Sequence, residues 1–133
     1  GQWDDALPHF EAAVSEMTGS AIMHFYLALV YQRTSRSSDA EAEFRLALKL
    51  EPNHFPANLL LGRLFVTQHK AVDALPYLRR ATKLRPDAID AHRFLGDAYE
   101  QLGQTANARR EIAEADRLAS LGASRLGTPT EER

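Results

Sequence analysis

Residues 55–88 read FPANLLLGRLFVTQHKAVDALPYLRRATKLRPDA, and this stretch decides the fold because its pattern recurs 34 residues earlier and 34 residues later. Small and large apolar side chains alternate in the recurring registers: Leu27, Leu61 and Leu95; Ala28, Gly62 and Gly96; Tyr31, Phe65 and Tyr99; Ala40, Ala74 and Ala108; Phe44, Leu78 and Ile112; Ala47, Ala81 and Ala115. A small residue lets two helices approach closely, and a large residue beside it fills the remaining space. A period of this length predicts a repeat protein in which each unit packs against the next.

The apolar periodicity and the breaker residues predict seven helices, near residues 4–17, 21–34, 38–50, 55–68, 72–84, 89–102 and 106–119. Pro8 and Pro76 must lie in the first turn of a helix or bend it, because only there does a helix leave N–H groups without an internal partner. Ser35 and His69 stand where Gly103 makes a tight turn, and both are strained if that turn needs a positive φ. The expected N-caps are Asp5, Asp73, Thr105 and either Ser37 or Ser38.

The phased positions resemble the tetratricopeptide repeat, a helix-turn-helix unit with the pattern W-x2-L-G-x2-Y, then A-x3-F, an alanine and a proline. The resemblance implies an all-α fold, a right-handed α-solenoid of antiparallel helix pairs with about three and a half repeats. It assigns the chain as follows: 1–20 to the second helix of a truncated repeat, 21–54 to repeat 1, 55–88 to repeat 2, 89–120 to repeat 3 with a charged C-terminal cap, and 121–133 to a flexible tail. A start in the middle of a repeat predicts that the chain is a fragment of a longer protein.

Composition excludes several classes of protein. The 16 Lys and Arg residues nearly cancel the 18 Asp and Glu residues, so the formal charge of −2 favours neither nucleic acid nor an anionic membrane as a partner. Without cysteine there is no disulfide, zinc–thiolate site or catalytic thiol. No signal peptide or membrane-spanning run is visible, which leaves the compartment open and favours the cytoplasm.

No motif for catalysis or for a bound cofactor is present. The glycines match neither G-x-G-x-x-G nor a Walker loop, and neither H-E-x-x-H nor G-x-S-x-G occurs. His24 and His92 share the register of the usual tryptophan two repeats apart, so they are too distant to share a metal and are expected to pack at helix interfaces. Asp97 and Glu100 form an acidic pair in an open groove, where acid–base catalysis is not expected. We predict that the chain is not an enzyme and uses neither cofactor nor metal.

The resemblance implies that a ligand binds on the concave surface, which the first helix of each repeat lines. The corresponding residues are Phe25, Leu29, Gln32, Leu59, Arg63, Val66, Arg93, Asp97 and Glu100, with Tyr26, Leu60 and Phe94 in a register shared between core and groove. Their apolar character favours the core for those last three. The predicted ligand is a peptide or protein segment with apolar anchors and some charged residues, and Arg63 and Arg93 are expected to bind a carboxylate.

Two alternatives to peptide binding stay open. Self-assembly, or a role as a structural spacer, would use the apolar stripe Trp3, Leu7, Phe10 and Val14, which has no preceding helix to cover it. At the other end Arg109 and Asp116 form the charged cap. The second alternative is that the chain is the regulatory arm of a larger enzyme.

A cluster of cations, Arg79, Arg80, Lys83 and Arg85, gives the middle repeat a basic surface. A solvated convex face explains most of such a cluster, and contact with phosphate is the alternative.

Overall fold

The computed structural model describes residues 2–16 and 20–125, without the side chains of residues 3, 10, 13–16 and 125. The described residues form seven helices and no strand, which confirms the prediction of an all-α chain. The helices are α1 Gln2–Glu16, α2 Ala21–Arg33, α3 Ser37–Leu50, α4 Phe55–Thr67, α5 Ala71–Leu84, α6 Ile89–Gln101 and α7 Thr105–Arg125.

Short connections make each helix an antiparallel neighbour of the next. The pairs α2–α3, α4–α5 and α6–α7 pack most extensively, and α1–α2, α3–α4 and α5–α6 join these pairs to one another. The first helices of the second and third pairs, α4 and α6, also contact each other. Successive helix pairs stacked in this way form the α-solenoid that the period predicts.

The repeat registers build one continuous core. Phe44, Leu61, Phe65 and Leu78 are completely or almost completely buried, and the alanines of the recurring registers lie between them at the helix contacts. Gly62 is required at its contact, because a Cβ atom there would lie 2.5 Å from Cγ of Leu78. The alternation of small and large side chains is therefore what sets the spacing between the helices.

The turns inside the helix pairs share one geometry with a positive φ. The φ angles are 61° at Ser35, 58° at His69 and 74° at Gly103. At the first turn the N–H of Arg36 donates to the carbonyl of Tyr31 at 2.8 Å and that of Ser35 to the carbonyl of Gln32 at 3.2 Å, the two bonds of a Schellman motif. The left-handed position in this motif favours glycine, and the chain supplies glycine only in the last of the three turns.

Replacing His69 with glycine should raise the free energy of unfolding by up to about 1 kcal/mol, because a side chain in the left-handed region is strained. Urea denaturation of the variant measures this gain. The matched control is Gly103→Ala, where a Cβ atom would meet nothing within 4 Å, so that any loss reports the φ angle alone. A lower stability of His69→Gly would contradict the strain argument.

The predicted N-caps are wrong. The N-cap of α5 is Lys70 and that of α3 is Arg36, and neither makes a side-chain capping bond. Asp73 lies in the first turn of α5, and α1 begins before Asp5. The Schellman motif explains the outcome, because its final residue is already the N-cap of the following helix. Ser37 and Thr105 are accordingly the first residues of their helices rather than caps.

Pro76 lies beyond the first turn of α5, which begins at Ala71, so the carbonyl of Val72 loses its helical donor. Val72 is 70% exposed, and water can replace that donor. An interior proline is tolerated here because the affected backbone faces solvent.

The last helix is longer than predicted. α7 continues to Arg125 instead of ending at 119, so residues 121–125 are helical rather than part of a flexible tail. Pro52 and Pro86 follow the two preceding outer helices, whereas Ser120 takes that register in the third repeat and does not interrupt α7. The rest of the predicted tail, 126–133, lies outside the described residues.

Candidate functional site

The inner face is formed by α2, α4 and α6, and the structure sorts the predicted groove residues into buried and accessible ones. Phe25 and Val66 are each only 8% exposed and belong to the core, so the prediction that they line the groove is wrong. The Phe25 ring packs against those of Phe44 and His54, with centroids 6.0 and 5.1 Å apart. Tyr26, for which the core was favoured, is 44% exposed. The accessible or half-buried members are Tyr26, Leu29, Gln32, Leu59, Leu60, Arg63, Arg93, Phe94, Asp97 and Glu100.

Four of the predicted residues come together in one cleft. Its volume is about 560 Å³, and its lining is Leu29, Gln32, Arg33, Leu60 and Arg63. We call it the Arg63 cleft. Arg33 is not among the predicted groove residues, although it lies one helical turn after Leu29 and therefore on the same face.

The Arg63 cleft is positively charged, and two leucines form the apolar part of its lining. Arg33 and Arg63 supply two guanidinium groups, and no carboxylate lines the cleft. Within the described part of the chain, Arg63 has no ion-pair partner. A guanidinium group can bind a carboxylate through two parallel hydrogen bonds, and the leucines beside it can take an apolar side chain.

The charge on the inner face changes sign at α6. Burial and the neighbouring charge of Glu100 raise the pKa of Asp97 above its ordinary value, against the opposing effect of Arg93. Arg93 also lies 3.7 Å from Asp116, measured from Nη2 to Oδ1. Because Arg93 already interacts with Asp116 and Asp97, Arg63 is the better candidate to bind a ligand carboxylate.

The histidines in the register of the usual tryptophan join the two helices of a pair by hydrogen bonds instead of facing a ligand. Nδ1 of His92 lies 2.7 Å from Oε1 of Glu111, and Nε2 lies 2.7 Å from the carbonyl oxygen of Pro86. Both partners can only accept, so both ring nitrogens carry a proton in this arrangement. In the first repeat His24 makes the corresponding bond to Glu43, at 2.7 Å.

The middle repeat uses an amide in the same register. Nδ2 of Asn58 donates to the carbonyls of Pro52 and His54, each at 3.0 Å. The bond to Pro52 corresponds to the bond from His92 to Pro86, 34 residues later. The two histidines of this register thus lie at helix interfaces as expected, and Asn58 of the middle repeat, at 2% exposure, is buried in the same register.

Stability should depend on pH through His92. Burial alone lowers the pKa of His92, but its bonds to Glu111 and the Pro86 carbonyl, with the charges of Glu111 and Glu114, outweigh burial and raise it. The pKa of histidine in the unfolded chain is about 6.5. The pKa of His92 is higher in the folded chain than in the unfolded chain. The contribution of His92 to stability is therefore fully present below the unfolded-state pKa and is lost as the pH rises through the folded-state pKa.

The variant His92→Asn should have a flatter dependence of unfolding free energy on pH between mildly acidic and mildly alkaline buffers, because asparagine donates without titrating. Urea denaturation over this pH range measures the slope. The control, His69→Asn, changes an exposed histidine and should retain the slope of the parent chain. An unchanged slope in His92→Asn would show that another group controls the pH dependence.

The stripe predicted for self-association is tested at one residue only. Leu7 is buried in the core cluster, so the prediction that it is uncovered is wrong. Trp3, Phe10 and Val14 have side chains outside the described residues. The neighbouring Glu11 accepts a 2.8 Å hydrogen bond from the hydroxyl of Tyr31 and so ties α1 to α2. Burial and this bond raise the pKa of Tyr31 to about 12. Self-association stays a prediction.

Among the described residues, no group of three or more His, Asp or Glu residues is placed to hold a metal ion. Within the same part of the chain, each helix is too short or too polar to cross a lipid bilayer.

Comparison with known proteins agrees with the architecture. Superkiller complex protein 3 of Mus musculus is 31% identical over 112 residues, a match that takes in 74% of this chain and 7% of that protein. This chain thus spans a small fraction of that relative. A crystal structure of MamA superposes with a TM-score of 0.86 at 21% identity, over 93% of this chain and 72% of that one. A structure of MamA from Desulfovibrio magneticus RS-1 gives a TM-score of 0.85 at 23% identity, over 89% of this chain and 67% of that one.

The MamA structures show the same fold as this chain. A family model described as tetratricopeptide repeat matches residues 1–55 and 59–123. Because this match runs through nearly the whole described solenoid, the chain belongs to the tetratricopeptide repeat family.

Proposed function

We propose that the chain is a protein–protein interaction module that holds a segment of a partner protein on its inner face. The tetratricopeptide fold generally mediates contacts between proteins, which supports this role. The observation that carries the proposal is the Arg63 cleft, where a cation without an ion-pair partner in the described chain lies beside two leucines.

The lining of the cleft favours a partner segment of a particular chemistry. A carboxylate side chain, or a chain terminus, pairs with Arg63. An apolar residue beside it packs on Leu29 and Leu60, and the exposed ring of Tyr26 continues the apolar surface along α2. A cleft of about 560 Å³ accommodates a few side chains of an extended strand or an amphipathic helix.

The name of one relative is consistent with this role. The name Superkiller complex protein 3 describes a component of a complex. A scaffold of stacked repeats offers a long surface suited to such assembly, and we propose the same general task for this chain, without enzymatic activity of its own.

The test uses a synthetic peptide array in which each apolar-acidic peptide has a twin with glutamine in place of glutamate. Affinities of the hits are measured by fluorescence anisotropy on the parent chain and on Arg63→Gln. We expect the variant to lose about tenfold in affinity for the glutamate peptides, the value of a charged hydrogen bond, and little for their glutamine twins.

The matched control is Arg110→Gln, which removes the same charge from an exposed arginine of α7. Arg110 contacts Asn107 on its own helix, so its loss should leave peptide affinity unchanged. Equal losses for glutamate and glutamine peptides in Arg63→Gln would remove the carboxylate from the proposal, and equal losses in Arg110→Gln would place binding outside the cleft.

A further inference from the structure

A second cavity lies away from the Arg63 cleft and shares no lining residue with it. Its volume is about 510 Å³, and its walls come from α5, α6 and α7 and from the connection before α4. Arg79, Arg80 and Lys83 of α5 form one wall. Leu95 and Tyr99 of α6 lie in its floor. We call it the α5 cavity.

The three cations of this wall are not neutralised by the chain. Among the described residues none of them forms an ion pair, whereas Arg45 of α3 pairs with Glu41 at 3.1 Å. Arg79 and Arg80 donate instead to neutral oxygens, the Tyr99 hydroxyl and the side-chain carbonyl of Asn53, each at 3.2 Å. These single bonds leave further N–H groups of both guanidinium groups available.

Two nearby features could weaken the attraction of the α5 cavity for an anion, and neither removes it. Glu111 also lines the cavity, but it is held at 2.7 Å by His92. The negative end of the α5 dipole accounts for a cation in the last turn, which is Lys83. Arg79 and Arg80 precede that turn, so the dipole does not explain them.

The side chains at this repeat junction differ from those at the preceding one. At the preceding junction the ring of Tyr77 packs on that of Phe65, with centroids 5.9 Å apart. The corresponding residues at the later junction are Glu111 and Tyr99, 34 positions further on. Glu111 is smaller than tyrosine and is bound to His92, which leaves the space beside Tyr99 open.

We propose that the α5 cavity binds the phosphate groups of a small organic phosphate of nucleotide size. Three cations that line one cavity match the multiple charge of a diphosphate better than the single charge of a carboxylate. The apolar floor suits the organic part of such a ligand, and the volume lies within the range of small-molecule sites. This site is separate from the Arg63 cleft, which is proposed to bind a peptide.

Isothermal titration calorimetry at low salt tests the proposal with ADP, pyrophosphate and adenosine as probes. ADP and pyrophosphate should bind saturably, adenosine should not, and binding of ADP should weaken as salt is added because salt screens the cations. The double variant R79Q/K83Q should bind ADP at least about tenfold more weakly, since it removes two charged donors.

The preceding repeat supplies a matched control in the same registers. The double variant R45Q/K49Q removes the same two residue types from α3, beside the space that Tyr77 fills, and its affinity for ADP should stay within about twofold of the parent. Thermal unfolding of both double variants confirms that each is folded.

Three results would overturn the proposal. Absence of saturable binding by both ADP and pyrophosphate would exclude a phosphate site, and equal losses in the two double variants would assign binding to the general charge of the surface. Tighter binding of a single-stranded oligonucleotide than of ADP, lost in R79Q/K83Q, would replace the small ligand with nucleic acid. The peptide affinity of the Arg63 cleft should be the same in R79Q/K83Q, so the two proposals can fail separately.

Discussion

Phe44→Ala should lower the free energy of unfolding by about 3–5 kcal/mol, the cost of removing a large aromatic side chain from a packed core. Phe44 is fully buried, and its ring packs 6.0 Å from that of Phe25. Small domains are stabilised by about 5–15 kcal/mol in total, so this one change removes a large fraction of that stability. Urea denaturation followed by circular dichroism measures the loss.

The repeat provides a control for this prediction. Ile112 occupies the register of Phe44 in the last repeat, but it is half-buried because no further helix pair covers it in the described chain. Ile112→Ala should cost less, about 1–2 kcal/mol, in proportion to the smaller area that it buries. Equal losses of unfolding free energy in Phe44→Ala and Ile112→Ala would mean that burial does not determine how much the residue in this register contributes to stability.

Gly62→Ala should also destabilise the chain, by about 1–3 kcal/mol, although alanine is the better helix former by about 1 kcal/mol. The added Cβ atom would lie 2.5 Å from both Cγ and Cδ2 of Leu78, which is fully buried. Since Cγ is close to the backbone of α5, the clash can be relieved only by moving α4 and α5 apart. The unfolding midpoint in urea reports the loss.

Two further variants test whether the close contact between Gly62 and Leu78 causes this loss. At Gly96 the added Cβ atom would lie 2.8 Å from Cδ1 of Ile112, the end of a half-buried side chain that can rotate away, so Gly96→Ala should cost less. In a Leu78→Ala background the clash is absent, and Gly62→Ala should then be neutral or stabilising. Additive effects of the two substitutions would rule out steric overlap as the cause.

The helices and the core could be predicted from the sequence because many registers repeat in phase. Each of Leu61, Phe65 and Leu78 has counterparts in the other repeats, and the structure buries all three. The end of α7 could not be predicted in the same way, because it depends on the absence of a breaker at Ser120 rather than on the presence of a signal. The predictions of the N-caps were wrong because the backbone of the Schellman motif determines where the next helix begins. This motif places few requirements on residue type.

The candidate site was predictable in outline and less so in detail. Leu29, Gln32, Leu60 and Arg63 meet in one cleft, as helical periodicity and the family pattern imply. The pattern could not decide which aromatic residue of α2 faces solvent. Phe25 and Tyr26 are adjacent and both aromatic, and only the packing of α3 and α4 places one inside and the other outside.

The change of charge along the inner face gives the surface a direction. Arg63 lies on the middle inner helix, α4, and Asp97 and Glu100 lie on the last inner helix, α6. A partner segment with an acidic end and a basic end has one orientation in which both ends meet opposite charge, and turning it around brings like charges together at both ends. On the proposed function we therefore expect the inner face to distinguish a peptide from its reverse, so that a reversed peptide of identical composition binds more weakly.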